Sequence, residues 1–256
     1  MNQACRFLFL CTSIHCSMSL FSQTDSSITT TRFSGSLGVT TNGFSIIPTF
    51  SLNSPALITV LSWRKKNFSI DPDIRLTPDL KKGGMIVWFR YYAVDRKKFN
   101  LRIGAHPALN FQQRTITENG NTTTITQMRR FLAWELAPTY NLTKNWNAGI
   151  YYLQGNGLQK DGPVTTHFVT FNSSISDIHL TGKWRLMLAP AVYYLYLDGL
   201  DGKYFTMTGA ISNTSLPLSL ESTINKTFAS SLAGNKDFMW NLTLNYHFDK
   251  TFKRIN

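Results

Sequence analysis

Apolar residues recur at every second position through most of this chain, and that period admits few folds. In the last such run, Asp237 to Phe248, residues Phe238, Trp240, Leu242, Leu244, Tyr246 and Phe248 share one face. Met239, Asn241, Thr243, Asn245 and His247 share the other. Side chains of a strand alternate between faces, so the run reads as a strand with one apolar and one polar side. The apolar side carries aromatic residues at both ends and leucines between, the pattern of a lipid-facing strand whose Trp and Tyr favour the interfaces. A sandwich strand shares the alternation, so the decision rests on how often the chain repeats it.

The pattern recurs in Phe68–Leu76, Met85–Ala93, Phe99–Phe111, Met128–Tyr140, Trp146–Tyr152, Trp184–Tyr196, Tyr204–Ile211 and Leu216–Ile224, and more weakly over 165–178. Ala56–Trp63 is apolar on both faces and its orientation stays open. Near the start, Asn42-Gly43 is a turn or kink signal. Phe44, Ile46, Pro48, Phe50 and Leu52 then mark 44–52 as the first full spanning strand. Residues 32–40 form a shorter element, either a kinked extension or a hairpin partner. Connections alternate in length, apart from the brief link at 53–55. Arg64–Lys66, Asp95–Lys97, Thr143-Lys144, Leu180–Gly182 and Thr214-Ser215 are short, whereas 77–83, 113–125, 156–163, 198–202 and 228–235 are longer and polar. Outer-membrane barrels have short periplasmic turns and longer outer loops. The expected fold is all-β, an antiparallel transmembrane β-barrel of about twelve strands. The terminal strand closes it against 44–52. Pro48, Pro72, Pro107, Pro138, Pro190 and Pro217 interrupt this reading, because proline removes a ladder donor, and they are expected to mark bulges.

Composition narrows the classes further. The chain is 43% hydrophobic and 16% charged and has no apolar run of the roughly 20 residues that a membrane helix needs. A membrane barrel hides its hydrophobicity by alternation. The net charge of +12 is scattered through strands and turns without a dense basic run, which argues against nucleic acid as a partner. Residues 1–22 read as a secretory signal peptide with cleavage after Ser22. All three cysteines fall inside that segment, so the mature chain has no disulfide framework and no thiolate or cysteine metal site. The remainder divides into a lead-in and short strand over 23–43, the barrel over 44–248 and a basic tail over 249–256.

Charge on a lipid-facing position costs a few kcal/mol near the bilayer midplane, so the polar faces point inward. That places Asp71, Asp73, Arg75, Arg90, Arg102, His106, Arg129, Glu135, Arg185 and Glu221 in the lumen, with His247. Arg130 shares the parity of Leu132 and Trp134 and belongs at the outer rim. Two readings stand for the lumen charges. In one, acids and arginines pair as a structural network. In the other, they line a narrow conduit whose net positive field favours anionic solutes. About twelve strands enclose more room than the roughly eight whose interior side chains fill, although a loop or the 24–40 segment can plug it. No Gly-x-Ser-x-Gly or His-Glu-x-x-His motif is present, and no metal site or cofactor is expected. His106 reads as a hydrogen-bonded wall residue, and Asp71 and Asp73 as partners of Arg75.

The signal ending Phe21-Ser-Gln23, the turn Tyr140-Asn-Leu-Thr-Lys-Asn-Trp146 and the terminal aromatic strand resemble outer-membrane β-barrel proteins of Bacteroidota-type bacteria. Phe44-Ser-Ile-Ile-Pro-Thr-Phe50 and Gly104-Ala-His-Pro-Ala-Leu-Asn110 are similar to a poorly characterised subgroup of them. The resemblance implies the outer membrane of a Gram-negative bacterium, insertion by the outer-membrane assembly machinery and contact with outer-membrane lipid and lipopolysaccharide. It implies no reaction. Residues 249–256 depart from the pattern, because such chains usually end at the aromatic residue corresponding to Phe248. Three functions remain in view: a structural barrel or narrow passive pore for small solutes, an outer-membrane enzyme acting on lipid or lipopolysaccharide, and an adhesion or receptor barrel working through 113–125.

Overall fold

A computed structural model describes residues 29–118, 121–160 and 162–254. The proposed signal peptide lies outside them. Twelve antiparallel strands form a closed barrel in which each pairs with its neighbours in sequence and the last returns to the first. They are β1 (Thr29–Thr40), β2 (Ala56–Lys65), β3 (Phe68–Leu76), β4 (Lys82–Asp95), β5 (Phe99–Glu118) and β6 (Asn121–Asn141). Then follow β7 (Trp146–Gly157), β8 (Thr165–His179), β9 (Trp184–Leu197), β10 (Leu200–Asn213), β11 (Leu218–Ser230) and β12 (Phe238–Arg254). No described helix is long and apolar enough to cross a membrane.

The closing seam differs from the expected one. β12 pairs with β1 over Thr29–Thr40, not with 44–52. The barrel therefore begins before residue 44. It also runs past 248, because Asp249–Arg254 continue β12 opposite Thr29–Ser34. The expected basic tail is strand through Arg254, tied to β1 by an Arg32–Asp249 ion pair. Segment 44–52 is not a strand. The chain leaves β1 at Thr41-Asn42, makes a short 3-10 turn at Pro48–Phe50, and re-enters the sheet at Ala56. Asn53 takes a left-handed conformation on the way out, one that asparagine tolerates better than most residues.

Outside and inside follow the alternation. The terminal strand exposes Phe238, Trp240, Leu242, Leu244 and Tyr246 and buries Asn241, Thr243 and Asn245. β2 resolves the same way, with Leu57 and Trp63 outward and Ile58, Val60 and Ser62 inward by register. The end bearing both termini has short turns. At the opposite end, 77–81, 158–164 and 231–237 are longer connections, as expected. Two expected loops are not loops there: most of 113–125 extends β5 and β6 as a ladder from Gln113 to Ile125, and β9 and β10 meet across Asp198-Gly199. The longest connection is 41–55.

Candidate functional site: a plugged lumen

Segment 41–55 contains no charged residue, and that composition suits an interior position. It enters from the end opposite the termini. Its neck is closed by Gly43 N–H donating to the Ser54 carbonyl at 2.8 Å and Leu52 N–H to the Gly43 carbonyl at 2.8 Å. Ser51 clasps the loop: its hydroxyl accepts from Ser45 N–H at 2.8 Å and donates to the Ser45 carbonyl at 2.9 Å. Phe44 and Leu52 are buried, each contributing about 1.5–3 kcal/mol by transfer. Phe50 packs on Phe131 at 5.2 Å between centroids. Wall side chains satisfy the plug's carbonyls: Asn110 donates to Thr49, Arg75 to Phe44 and Lys82 to Leu52.

One wall of the lumen, from β3 to β6, is ionic. Arg90 joins Asp71 (3.0 Å) and Glu135 (2.8 Å), and Arg102 joins the same Glu135 oxygen (2.8 Å). Glu135 has no exposed side-chain surface. Asp71 accepts from Ser62 (2.6 Å) and Ser69 (2.9 Å). Asp73 and Arg75 form a two-bond pair, at 2.8 and 3.0 Å, and Glu221 adds its field to Arg75. Buried charges are tolerated only when paired and hydrogen-bonded in this way. Arg75, Arg90 and Arg102 thus face Asp71, Asp73, Glu135 and Glu221. This part of the lumen carries no surplus of positive charge to attract anions.

The other expected lumen residues sit apart. Arg185 lies towards the end bearing the termini, paired with Asp177 at 2.9 Å. Arg129 lies towards the opposite end beside Gly162. Arg130 faces outward there. His247 meets Ser219 at 2.7 Å. His106 is 5% exposed and packs against Trp88, with ring centroids 3.9 Å apart. Its Nδ1 has no hydrogen-bond partner. Among the described residues no group of His, Cys, Asp or Glu side chains is arranged to hold a metal ion.

The opposite wall, β7 to β10, is apolar. Leu153, Phe168, Tyr193, Leu195, Leu197 and Tyr204 form a buried cluster against Ile46 and Ile47 of the plug. Tyr193 and Tyr204 stack at 4.7 Å, and their hydroxyls are taken by Asn225 and Ser230. Between the plug, this wall and the ionic wall lies a cavity of about 500 Å³. It touches Trp88, Arg90, His106, Tyr151, Phe168 and Thr170, and reaches Ser173 and Pro190 at the β8–β9 seam. Reading the inward faces as polar overlooked this wall. Its signal is the set of aromatics at inward positions: Tyr151, Phe168, Tyr193 and Tyr204.

No protein family matches the sequence, and no curated protein matches it. Among solved structures the barrel is similar to the KdgM porin, at 10% identity and a TM-score of 0.50, over 84% of this chain and 99% of that one. It is also similar to an outer-membrane channel from Pseudomonas putida F1, at 12% identity and a TM-score of 0.48, over 86% and 95% of the two chains. The KdgM likeness shows the fold, a closed antiparallel barrel of twelve strands like that of an outer-membrane porin.

Proposed function

We propose that this chain is an outer-membrane barrel acting as a narrow passive pore for small uncharged solutes, with 41–55 setting its bore. The observation that carries the reading is the plug. A charge-free loop occupies the lumen from one end, held by hydrogen bonds and a few apolar contacts, and leaves a cavity beside it.

Export by the 1–22 signal and kinship with the Bacteroidota-type subgroup belong to the same proposal, supported by the sequence motifs. So do the partners: outer-membrane lipid and lipopolysaccharide against the aromatic exterior, and the outer-membrane assembly machinery acting on β12. In this reading the end bearing the termini faces the periplasm. Liposome swelling tests it. Vesicles carrying the folded barrel should admit small neutral sugars faster than empty vesicles and exclude large ones. Swelling equal to that of empty vesicles for every solute contradicts it and leaves the structural role.

A further inference from the structure

We propose that the cavity below the plug is a binding site for an uncharged, largely apolar solute. This deepens the pore reading by naming the class of solute, and it rests on that reading only for transport, not for binding. Ligand pockets are typically a few hundred cubic ångströms, mostly apolar, with a few placed polar groups. This cavity has that size and that lining, with Phe168, Leu153 and Ile46 among its apolar walls.

The charges and rings around it fix the chemistry. The nearby cations are already committed. Arg90 is held by Asp71 and Glu135, and Arg75 by Asp73. An anionic ligand would enter an apolar space and find no free cation, a costly arrangement. A neutral ligand meets no such penalty, and Trp88, Tyr151 and Phe168 offer it ring faces and edges.

The test is titration calorimetry of the folded barrel in lipid nanodiscs with 2-naphthol and with its anionic isostere 2-naphthoate, empty nanodiscs being subtracted. Saturable, stoichiometric binding of 2-naphthol is expected, with 2-naphthoate about tenfold weaker or worse. Ala191→Trp, which fills the cavity from β9, should abolish binding. Heat-modifiable migration on a gel confirms that each variant folds; if Ala191→Trp does not fold, Ala191→Leu takes its place. Absence of saturable binding, equal or tighter binding of 2-naphthoate, or full binding by a folded cavity-filling variant each overturns the proposal. A barrel that binds 2-naphthol yet admits no solute into vesicles refutes the pore and leaves the site.

Discussion

At the residue scale the ionic wall turns on Glu135 and Gly104. Glu135 is wholly buried and serves Arg90 and Arg102 at once. Gly104 stands opposite it in the β5–β6 register. A Cβ at 104 would lie 2.9 Å from the Glu135 carboxylate and 3.1 Å from the Arg90 chain, so these side chains would have to shift to admit one. Glu135→Ala leaves two arginines facing each other without their shared acid and should cost about 3–5 kcal/mol. A lowered temperature for the gel shift of the folded barrel would report it, and Glu135→Gln should lose less. An unchanged transition temperature for Glu135→Ala would contradict this account. The parity of Glu135 is legible in the sequence. Its partners are not, because they depend on the registers between β4, β5 and β6, and alternation does not encode register.

At the scale of elements, the strand prolines obey a simple rule. Pro72, Pro107, Pro138 and Pro190 each pair regularly on one side, with Val87, Leu132, Leu101 and Met207. On the other side the ladder lapses and resumes with its register unchanged. The register shifts lie elsewhere, at Tyr92/Val94, Ile175/Ile178 and Lys203/Tyr204. Prolines here open the ladder without bulging it, as the loss of one N–H donor requires. Segment 44–52 misled because its apolar residues happen to fall on even positions, although the consecutive Ile46 and Ile47 both meet the apolar wall. The contrary signals were Pro48 at its centre and the breakers Asn42-Gly43 and Asn53-Ser54-Pro55 at its ends.

The plug supplies the first prediction at this scale. Ser51→Ala removes the clasp and should raise the frequency of brief current openings in a planar bilayer; unaltered current traces would assign the plug's rigidity to its apolar contacts alone. The 77–81 loop supplies another. The Asp79 carboxyl is held below the ordinary carboxylate value, chiefly by the Thr77 hydroxyl (2.6 Å) and then by Lys81 N–H (3.1 Å). A lowered folded pKa means that its support for the turn is complete above the unfolded value of about 3.9 and is lost as pH falls through the folded one. The Lys81 amide shift should therefore titrate below about pH 3.9, and Thr77→Ala should move the midpoint upward. A wild-type midpoint at or above that value would contradict the assignment.

The outward tryptophans of the molecule lie in two bands. Trp63, Trp146 and Trp184 lie near the end with short turns, with Tyr91, Phe99 and Tyr140, while Trp134 and Trp240 lie towards the other end. Trp88 alone among the six tryptophans faces the lumen. In single-tryptophan variants, quenchers fixed in the bilayer should reach the other five at two depths and leave Trp88 largely unquenched; strong quenching of Trp88 would reverse the assignment of inside and outside. Most strands, their facing and the outer surface were legible because alternation marks them, but 44–52 took the place of β1 as a spanning strand and the facing of β2 stayed open. The plug and the apolar wall were not, because the lumen imposes no single polarity and a loop within it has no period.

The central claim is that 41–55 limits the passage through a closed twelve-stranded barrel. Because Gly43 and Ser54 are already hydrogen-bonded to each other, residues 44–53 can be replaced by a short Gly-Ser link without moving β1 or β2. The direct measurement is single-channel conductance of the native and plug-replaced barrels in a planar bilayer. The account predicts small, intermittent currents from the native protein and a larger, steady conductance from the replaced one. Equal conductance in the two, whether open or silent, would contradict it.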